Sequence, residues 1–419
     1  MAKIKQITAR EILNSLGKPT IEVKVTLDNQ LQAQASAPSS ILPASYESLE
    51  LRDQDPHRYQ GQGVLLAIAK VIDVISPALE GLEISDQAMI DQRLIELDDS
   101  KDKRVLGANT MMAVSLACAR AAALAEGKEL FVYLSEKYDY PAEFKLPVPL
   151  FNIFNGGAYA DTNLDFQEFL LIPRPTQAET MVRMGAEVFS ELAKVLKESN
   201  YDTDTGLEGG YAPDMDSSIE ALEFIIAAIT RAGYQPGEDL FLGLDIGSSS
   251  LYDETSQKYI FPLDSIQFSA DNLIGLYNEW LRKYPLIYLE DPLAENDWSA
   301  WRELSTELGG QLKISGDDIF ATSSDRLRRG IKEQVANTVV VKPGQAGTLT
   351  ETIAYLKLAQ SHGYELVISH RSGETNDDFI VDLAVACGAQ YLKAGSLSRG
   401  ERLAKYNRLL EIEEILNKQ

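Results

Sequence analysis

From Leu240 onward the chain repeats one rhythm: a short apolar run, a polar or charged residue, then an amphipathic helix. The runs are "LFLGLD", "LIYLED", "LKISGDD", "TVVVKPG", "ELVISHRSG" and "YLKAG", and helical patterns such as "DNLIGLYNEWLRKY" and "TLTETIAYLKLAQSHG" lie between them. Strands joined by helical crossovers run parallel. Six such units in succession favour a barrel closed on itself over an open sheet. "VPLFNIF" and "QEFLLIP", earlier in the chain, supply two more strands and bring the count to eight. The repetition alone predicts a parallel sheet.

The first part of the chain moves differently. "IKQITAREIL", "TIEVKVTLDN" and "LQAQASA" alternate in a period of two, with a turn at Asp28-Asn29. "GVLLAIAKVIDVISPALEG", "DQAMIDQRLIELD" and "NTMMAVSLACARAAALAEG" follow a helical period. Strands followed by helices predict a small α+β domain. The proline-marked "KLPVPL" separates the two rhythms, so residues 1–137 are expected to form the α+β domain and residues 138–419 the α/β barrel.

In such a barrel the functional groups sit at the C-terminal ends of the strands. Read in order, those ends carry Asp245, Glu290, Asp317, Lys342, His370-Arg371-Ser372 and Lys393. A single such residue is equally well a helix N-cap, but all six consecutive strands end this way. Three carboxylates on one rim repel unless a cation lies between them, and two lysines and an arginine on the same rim call for an anionic ligand. Asp245, Glu290 and Asp317 are hard oxygen donors, which suits Mg²⁺. With no thiol or imidazole cluster nearby, softer metals are not favoured. Lys342, its stem buried, is a candidate base, because desolvation and nearby positive charge lower a lysine's pKa. Glu208 precedes two glycines in "TGLEGGYAP" and is a candidate acid opposite that base. "FNIFNGGAYADTNLDFQEF" adds a Gly-Gly loop, a tip carrying Tyr159, and a return at Gln167-Glu168.

The net charge of −24 argues against nucleic acid and anionic membrane surfaces as partners. The opening "MAKIKQITAREI" lacks the apolar core of a signal peptide, and no apolar run reaches the ~18 residues of a membrane span. Cys118 and Cys387 show no CxxC spacing, which fits a reduced, cytoplasmic compartment. Three histidines make a multi-histidine zinc site improbable.

The chain resembles the enolase family nearly end to end. "SHRSGET", "GDD" at Gly316–Asp318, "LEDP" at Leu289–Pro292 and "AKYNRLLEIEE" carry the likeness through the barrel, and "ELRD" at Glu50–Asp53 and "LGAN" at Leu106–Asn109 carry it through the first domain. The resemblance implies an N-terminal α+β capping domain on an eight-stranded α/β barrel whose second strand is antiparallel. It implies Mg²⁺-dependent dehydration of 2-phosphoglycerate to phosphoenolpyruvate, a phosphopyruvate hydratase of glycolysis and gluconeogenesis. A lysine base with Mg²⁺ steadying an ene-diolate is the pattern already known for enolase-superfamily sites. By the same resemblance Asp245, Glu290 and Asp317 hold the metal, Lys342 is the base, and Glu208 supported by Glu168 is the acid. Gln167, His370, Arg371, Ser372 and Lys393 meet the substrate, a small phosphorylated hydroxy acid. A homodimer, or an assembly of dimers, is implied as well.

The departures cluster in the lids. "SSILPA" at Ser39–Ala44 replaces the family's Ser-Gly-Ala-Ser-Thr-Gly, placing Leu42 where a serine holds a second Mg²⁺. Tyr159 stands where the family has histidine, Leu207 where it has aspartate before the catalytic glutamate, and Leu16-Gly17-Lys18 where it has Arg-Gly-Asn. "KPGQAG" stands for Lys-Val-Asn-Gln-Ile-Gly. Two alternatives follow: a paralogue acting on a related phosphate- or phosphonate-bearing acid, and a catalytically weak enolase-like binding protein.

Overall fold

A computed structural model describes residues 2–41 and 43–418; Leu42 lies outside the described residues. The N-terminal sheet is an antiparallel meander of β1 (Ile4–Leu13), β2 (Pro19–Leu27) and β3 (Gln32–Ser36). The period of two is explained by one buried face. Ile21, Val23, Val25 and Leu27 of β2 are fully buried, whereas Lys24 is exposed. The turn falls where expected, with Leu31 N–H donating to Asn29 Oδ1 and Gln30 in the left-handed region at φ 70°.

The buried face of the sheet packs on the helix Ala108–Ala125. By length and composition that helix could cross a membrane, contrary to the expectation from apolar runs; 83% of it is buried inside the protein. A core helix meets the same criterion when it is apolar all round. The stretch read as one helix from Gly63 to Gly81 is broken into Leu65–Lys70, a π turn at Val71–Ile75, and Ser76–Leu79. Pro77 cannot donate to the α ladder, and the wide turn stands just before it.

The barrel strands are β4 (Val148–Asn155), β5 (Glu168–Pro173), β6 (Leu240–Asp245), then β10 (Leu286–Glu290), β11 (Lys313–Gly316), β12 (Thr338–Val341), β13 (Glu365–Ser369) and β14 (Tyr391–Lys393). Between them a small sheet of β7 (Tyr252–Asp253), β8 (Lys258–Phe261) and β9 (Ile266–Phe268) follows β6. The eight strands close in the order β10-β11-β12-β13-β14-β4-β5-β6. The sheet is not all parallel: β5 runs antiparallel to both β4 and β6. Only twelve residues separate β4 from β5, a hairpin's length and too short for a helical crossover. The repeating pattern also omits the helices Leu130–Lys137, Ala178–Glu198 and Ser218–Arg231, which lie outside the six-unit run. Inside the barrel, Leu150, Leu170, Ile172, Tyr288, Val340 and Val367 form an apolar plug, so the polar rim has a dry floor.

The two parts meet along the segment 369–378. Ser39 and Gly373 exchange both backbone hydrogen bonds at 2.9 Å, and Ser15 N–H donates to the Glu374 carbonyl at 2.7 Å. Arg120 bridges Asp377 and Asp378 at 2.9 and 2.6 Å. From behind, Lys405 anchors the same segment, donating to Glu374 Oε2 at 2.8 Å and to the Thr375 carbonyl at 2.7 Å. Both Lys405 and Glu374 are buried. Lys405→Met is therefore expected to strand the Glu374 charge and lower stability by about 3–5 kcal/mol, read as a shift of the urea midpoint. A shift within about 0.5 kcal/mol contradicts the anchoring role.

Candidate active site

Register brings the rim carboxylates together. Glu168 pairs with Asp245, and Asp245 with Glu290, so three acids stand side by side on β5, β6 and β10. Glu168 reaches this rim from the start of its strand because β5 is reversed. Lys393, at the end of β14, points among them. Its Nζ lies 3.0 Å from Glu168 Oε1, 2.8 Å from Asp245 Oδ2 and 2.7 Å from Glu290 Oε1. The Tyr288 hydroxyl, from the barrel plug, donates to Glu290 Oε2. Asp317, just past β11, is ion-paired with Lys342 at the end of β12.

Burial dominates the charge states here. It pushes the Glu168 carboxyl well above the ordinary range, although Lys393 opposes it. Glu290 is pushed up to about 7 for the same reason. Burial works most strongly against the Asp317 carboxylate, but Lys342, by charge and hydrogen bond, together with Lys393 and Arg371 holds Asp317 below the usual range. The converse corrects the expectation for Lys342. Burial is the largest single influence and lowers its pKa, as do Arg371 and Lys393, yet Asp317 and Glu290 pull the other way and the net shift is upward. Lys393 is likewise raised well above the ordinary value by Asp245, Glu168 and Glu290 against the cost of burial. The rim cations are thus paired with carboxylates of the chain itself.

A hard divalent cation fits this donor set. The donors are all oxygen, and two buried oxygens, Asp317 Oδ1 and Glu168 Oε2, have no hydrogen-bond partner. The expected triad is not the tightest acid cluster among the described residues. Asp245 and Glu290 lie under Lys393, whereas Asp317 clusters with Asp291 and Asp318, their ligand atoms within 4.8 Å of one another. Asp291 accepts from the backbone N–H of Asp317 at 3.0 Å and of Asp318 at 2.9 Å, which fixes the turn after β11. Asp318, pushed up to about 8 by burial and by Asp317, adds further demand for a cation.

Ten of the twelve residues expected at the site line one cavity of about 290 Å³. They are Tyr159, Gln167, Glu168, Glu208, Asp317, Lys342, His370, Arg371, Ser372 and Lys393. Asp245 and Glu290 are the two that lie beneath it. Glu208 is buried, and its Oε2 accepts from Asn152 Nδ2 at 3.1 Å. Gly209 follows at φ 94°, and a Cβ there would sit 2.4 Å from Ser398 Oγ, so only glycine lets this turn approach β14's loop. Gly247, at φ 59°, leaves the space that the Gln167 side chain fills. The loop bearing Tyr159 is tied to the Glu208 turn by Leu207 N–H donating to the Tyr159 carbonyl at 2.8 Å. The phenol is half-buried; burial and then Glu208, Asp245 and Glu168 push its pKa well up, so it remains neutral.

The N-terminal lid closes the opposite side. Ile41 N–H donates to Ser372 Oγ at 2.9 Å, Ser45 to Glu295 at 2.6 Å, and Tyr46 to Asn296 at 2.9 Å. The Arg326 guanidinium stacks on the Tyr46 ring at 3.6 Å. Glu47, from this lid, accepts from one nitrogen of Arg371 at 2.9 and 2.8 Å. Sequence reasoning passed over Glu47, Asn152, Asp291, Asp318 and Arg402. Asp291 and Asp318 stood inside the quoted "LEDP" and "GDD"; the other three carry no local signal, because their partners are far away in sequence. Leu42, the residue most relevant to a second metal, lies outside the described residues.

Comparison with known families agrees with this architecture. The family described as "Enolase, N-terminal domain" matches residues 4–134, and "Enolase, C-terminal TIM barrel domain" matches residues 143–419. An acid-and-lysine rim on a barrel with one reversed strand, capped by a three-stranded domain whose lid enters the site, is thus matched along nearly the whole chain, and the protein belongs to the enolase family.

Proposed function

We propose that the protein is a Mg²⁺-dependent hydro-lyase that converts 2-phosphoglycerate to phosphoenolpyruvate. The observation that carries this reading is the placement of Lys342 in the same cavity as the carboxyl pair Glu168 and Glu208, with Arg371 between lid and barrel. Asp245, Glu290 and Asp317 would hold the metal, which would supply positive charge to offset theirs and to steady the substrate carboxylate. Lys342 can take a proton only as the free amine, so its pairing with Asp317 must first be relieved and its ammonium proton given up to solvent. Its Nζ then accepts the proton from C2. The C–H electron pair becomes the C2=C3 double bond, and the C3–O bond breaks. The hydroxyl leaves as water with a proton from the Glu168–Glu208 pair. Burial shifts Glu168 toward its protonated form, which suits it to supply that proton. Arg371 and Ser372 face the phosphate, while Gln167 and Lys393 stand near the carboxylate.

A second reading has one specific support. Tyr159 brings a neutral phenol to a mouth crowded with carboxylates, where a cation would better receive a phosphate. That favours a paralogue acting on a related phosphate- or phosphonate-bearing acid.

With millimolar 2-phosphoglycerate and Mg²⁺, absorbance of the enol product is expected to rise, and chelation of the metal to abolish the rise; no turnover under these conditions sinks the first reading. Lys342→Ala is expected to lower kcat by roughly 10²–10⁴-fold, and a surviving rate removes Lys342 as the base. Tyr159→His is expected to raise kcat/KM for 2-phosphoglycerate by about 10–100-fold. An unchanged value means the phenol does not limit this substrate.

A further inference from the structure

His370 follows β13 with both ring nitrogens facing charged partners. Its Nδ1 meets Nη1 of Arg402, and its Nε2 lies 3.5 Å from Oε2 of Glu208. All three side chains are buried. Arg402 is the fixed member. It lies fully buried on the C-terminal helix Gly400–Asn417, and donates from Nη1 to the Arg371 carbonyl at 2.8 Å and from Nη2 to the Ser372 carbonyl at 2.6 Å. A guanidinium carries only donors and cannot lose its charge. The Arg402–His370 bond therefore runs one way, and Nδ1 holds the lone pair. The ring proton then sits on Nε2, facing Glu208. Burial, followed by Arg402, Lys393, Lys342 and Lys405, pushes the ring's pKa well below the ordinary value, so it stays neutral.

We propose that Arg402 is a positioning residue that locks His370 in the Nε2–H tautomer, so that the imidazole offers Glu208 a hydrogen-bond donor and never a base. The assignment of Glu208 rests on the function proposed above; the tautomer does not. Glu208 Oε2 already accepts from Asn152. A second donor on that oxygen leaves the transferable proton to Oε1. Once Oε1 has given it up, two neutral donors steady the carboxylate without adding a cation to the rim. The same tautomer settles the nature of a second cluster. Ligand atoms of Glu168, Glu208 and His370 lie within 4.8 Å of one another, which has the look of a metal site. An Nε2 that bears hydrogen has no lone pair to give a metal, so the cluster is a proton-handling group.

The test is nitrogen NMR on the full-length chain labelled with ¹⁵N-histidine. The chain has three histidines, and His57 and His362 are exposed, so His57→Gln and His362→Gln assign the third signal. His370 is expected to show the neutral Nε2–H pattern near neutral pH, unmoved by added Zn²⁺. An Nδ1–H ring, an imidazolium, or a Zn²⁺-ligated Nε2 overturns the proposal. Arg402→Met is expected to mix the tautomers and lower kcat by about 10–100-fold with little change in KM. Arg402→Lys, which keeps a donor-only head, is expected to restore the Nε2–H ring. A folded Arg402→Met chain that retains a pure Nε2–H ring overturns the role of Arg402. Should that variant not fold, the spectrum of the unmodified chain still decides the tautomer. The ring is read without substrate, so a chain that fails to turn over 2-phosphoglycerate counts against the function alone.

Discussion

A buried ammonium stays charged only among anions, and neighbouring buried carboxylates stay charged only around a cation. Lys393 with Glu168, Asp245 and Glu290 meets both conditions at once. The group draws on β14, β5, β6 and β10, so the ion cluster closes the rim just as the backbone ladder closes the wall. Desolvating one lysine and three acids is costly, and their mutual attraction repays it only in good geometry. Because one cation cannot balance three anions, burial drives Glu168 and Glu290 toward their protonated forms. The raised carboxyl pKa values and the deficit of positive charge on this rim have one physical origin.

The wall of the site is also the seam of the fold. Segment 369–378 carries His370, Arg371 and Ser372 into the cavity, and the next residues bond to β3, to the lid and to Lys405. Arg371 shows the consequence. Its backbone N–H is fixed by Glu374, and its guanidinium by Glu47 of the other domain. Neither domain alone sets the charge available to an anion there. The lid bearing Glu47 is in turn clasped to the barrel by Tyr46 on Arg326. Its position over the site is thus a matter of packing between domains rather than of the lid sequence itself.

The loop tips over the cavity and its rim are built differently: Tyr159 rides on a loop, whereas the acids and lysines stand at strand ends. Tyr159 illustrates the division. Its carbonyl holds Leu207 and so braces the Glu208 turn, a backbone service that any residue could give. Its side chain lines the cavity.

The barrel was legible because six βα units demand parallel strands, and the site because all six strands end in a charged or polar residue, a recurrence that helix capping at single positions does not explain. Asp245, Glu290, Asp317, Lys342, His370, Arg371 and Lys393 could be picked out on that ground, and Glu208 by its glycines. The reversed direction of β5 was not in the repetition; it came from the resemblance, and the short link from β4 explains it. Glu168 belongs to the rim only through that reversal. Charge state was less legible still. Lys342 looked like a lysine poised to lose its proton, yet Asp317, twenty-five residues earlier, holds it as the ammonium. Arg402 was one more arginine in the C-terminal helix until its nitrogens met His370 and two carbonyls. Sequence by itself determined which residues stand at strand ends and what chemistry they can perform, because strand period and side-chain type are local. Which acid meets which lysine, which nitrogen of His370 bears the proton, and which carboxyl stays protonated were decided only by the tertiary structure, because a pKa and a tautomer depend on neighbours that folding brings from elsewhere in the chain.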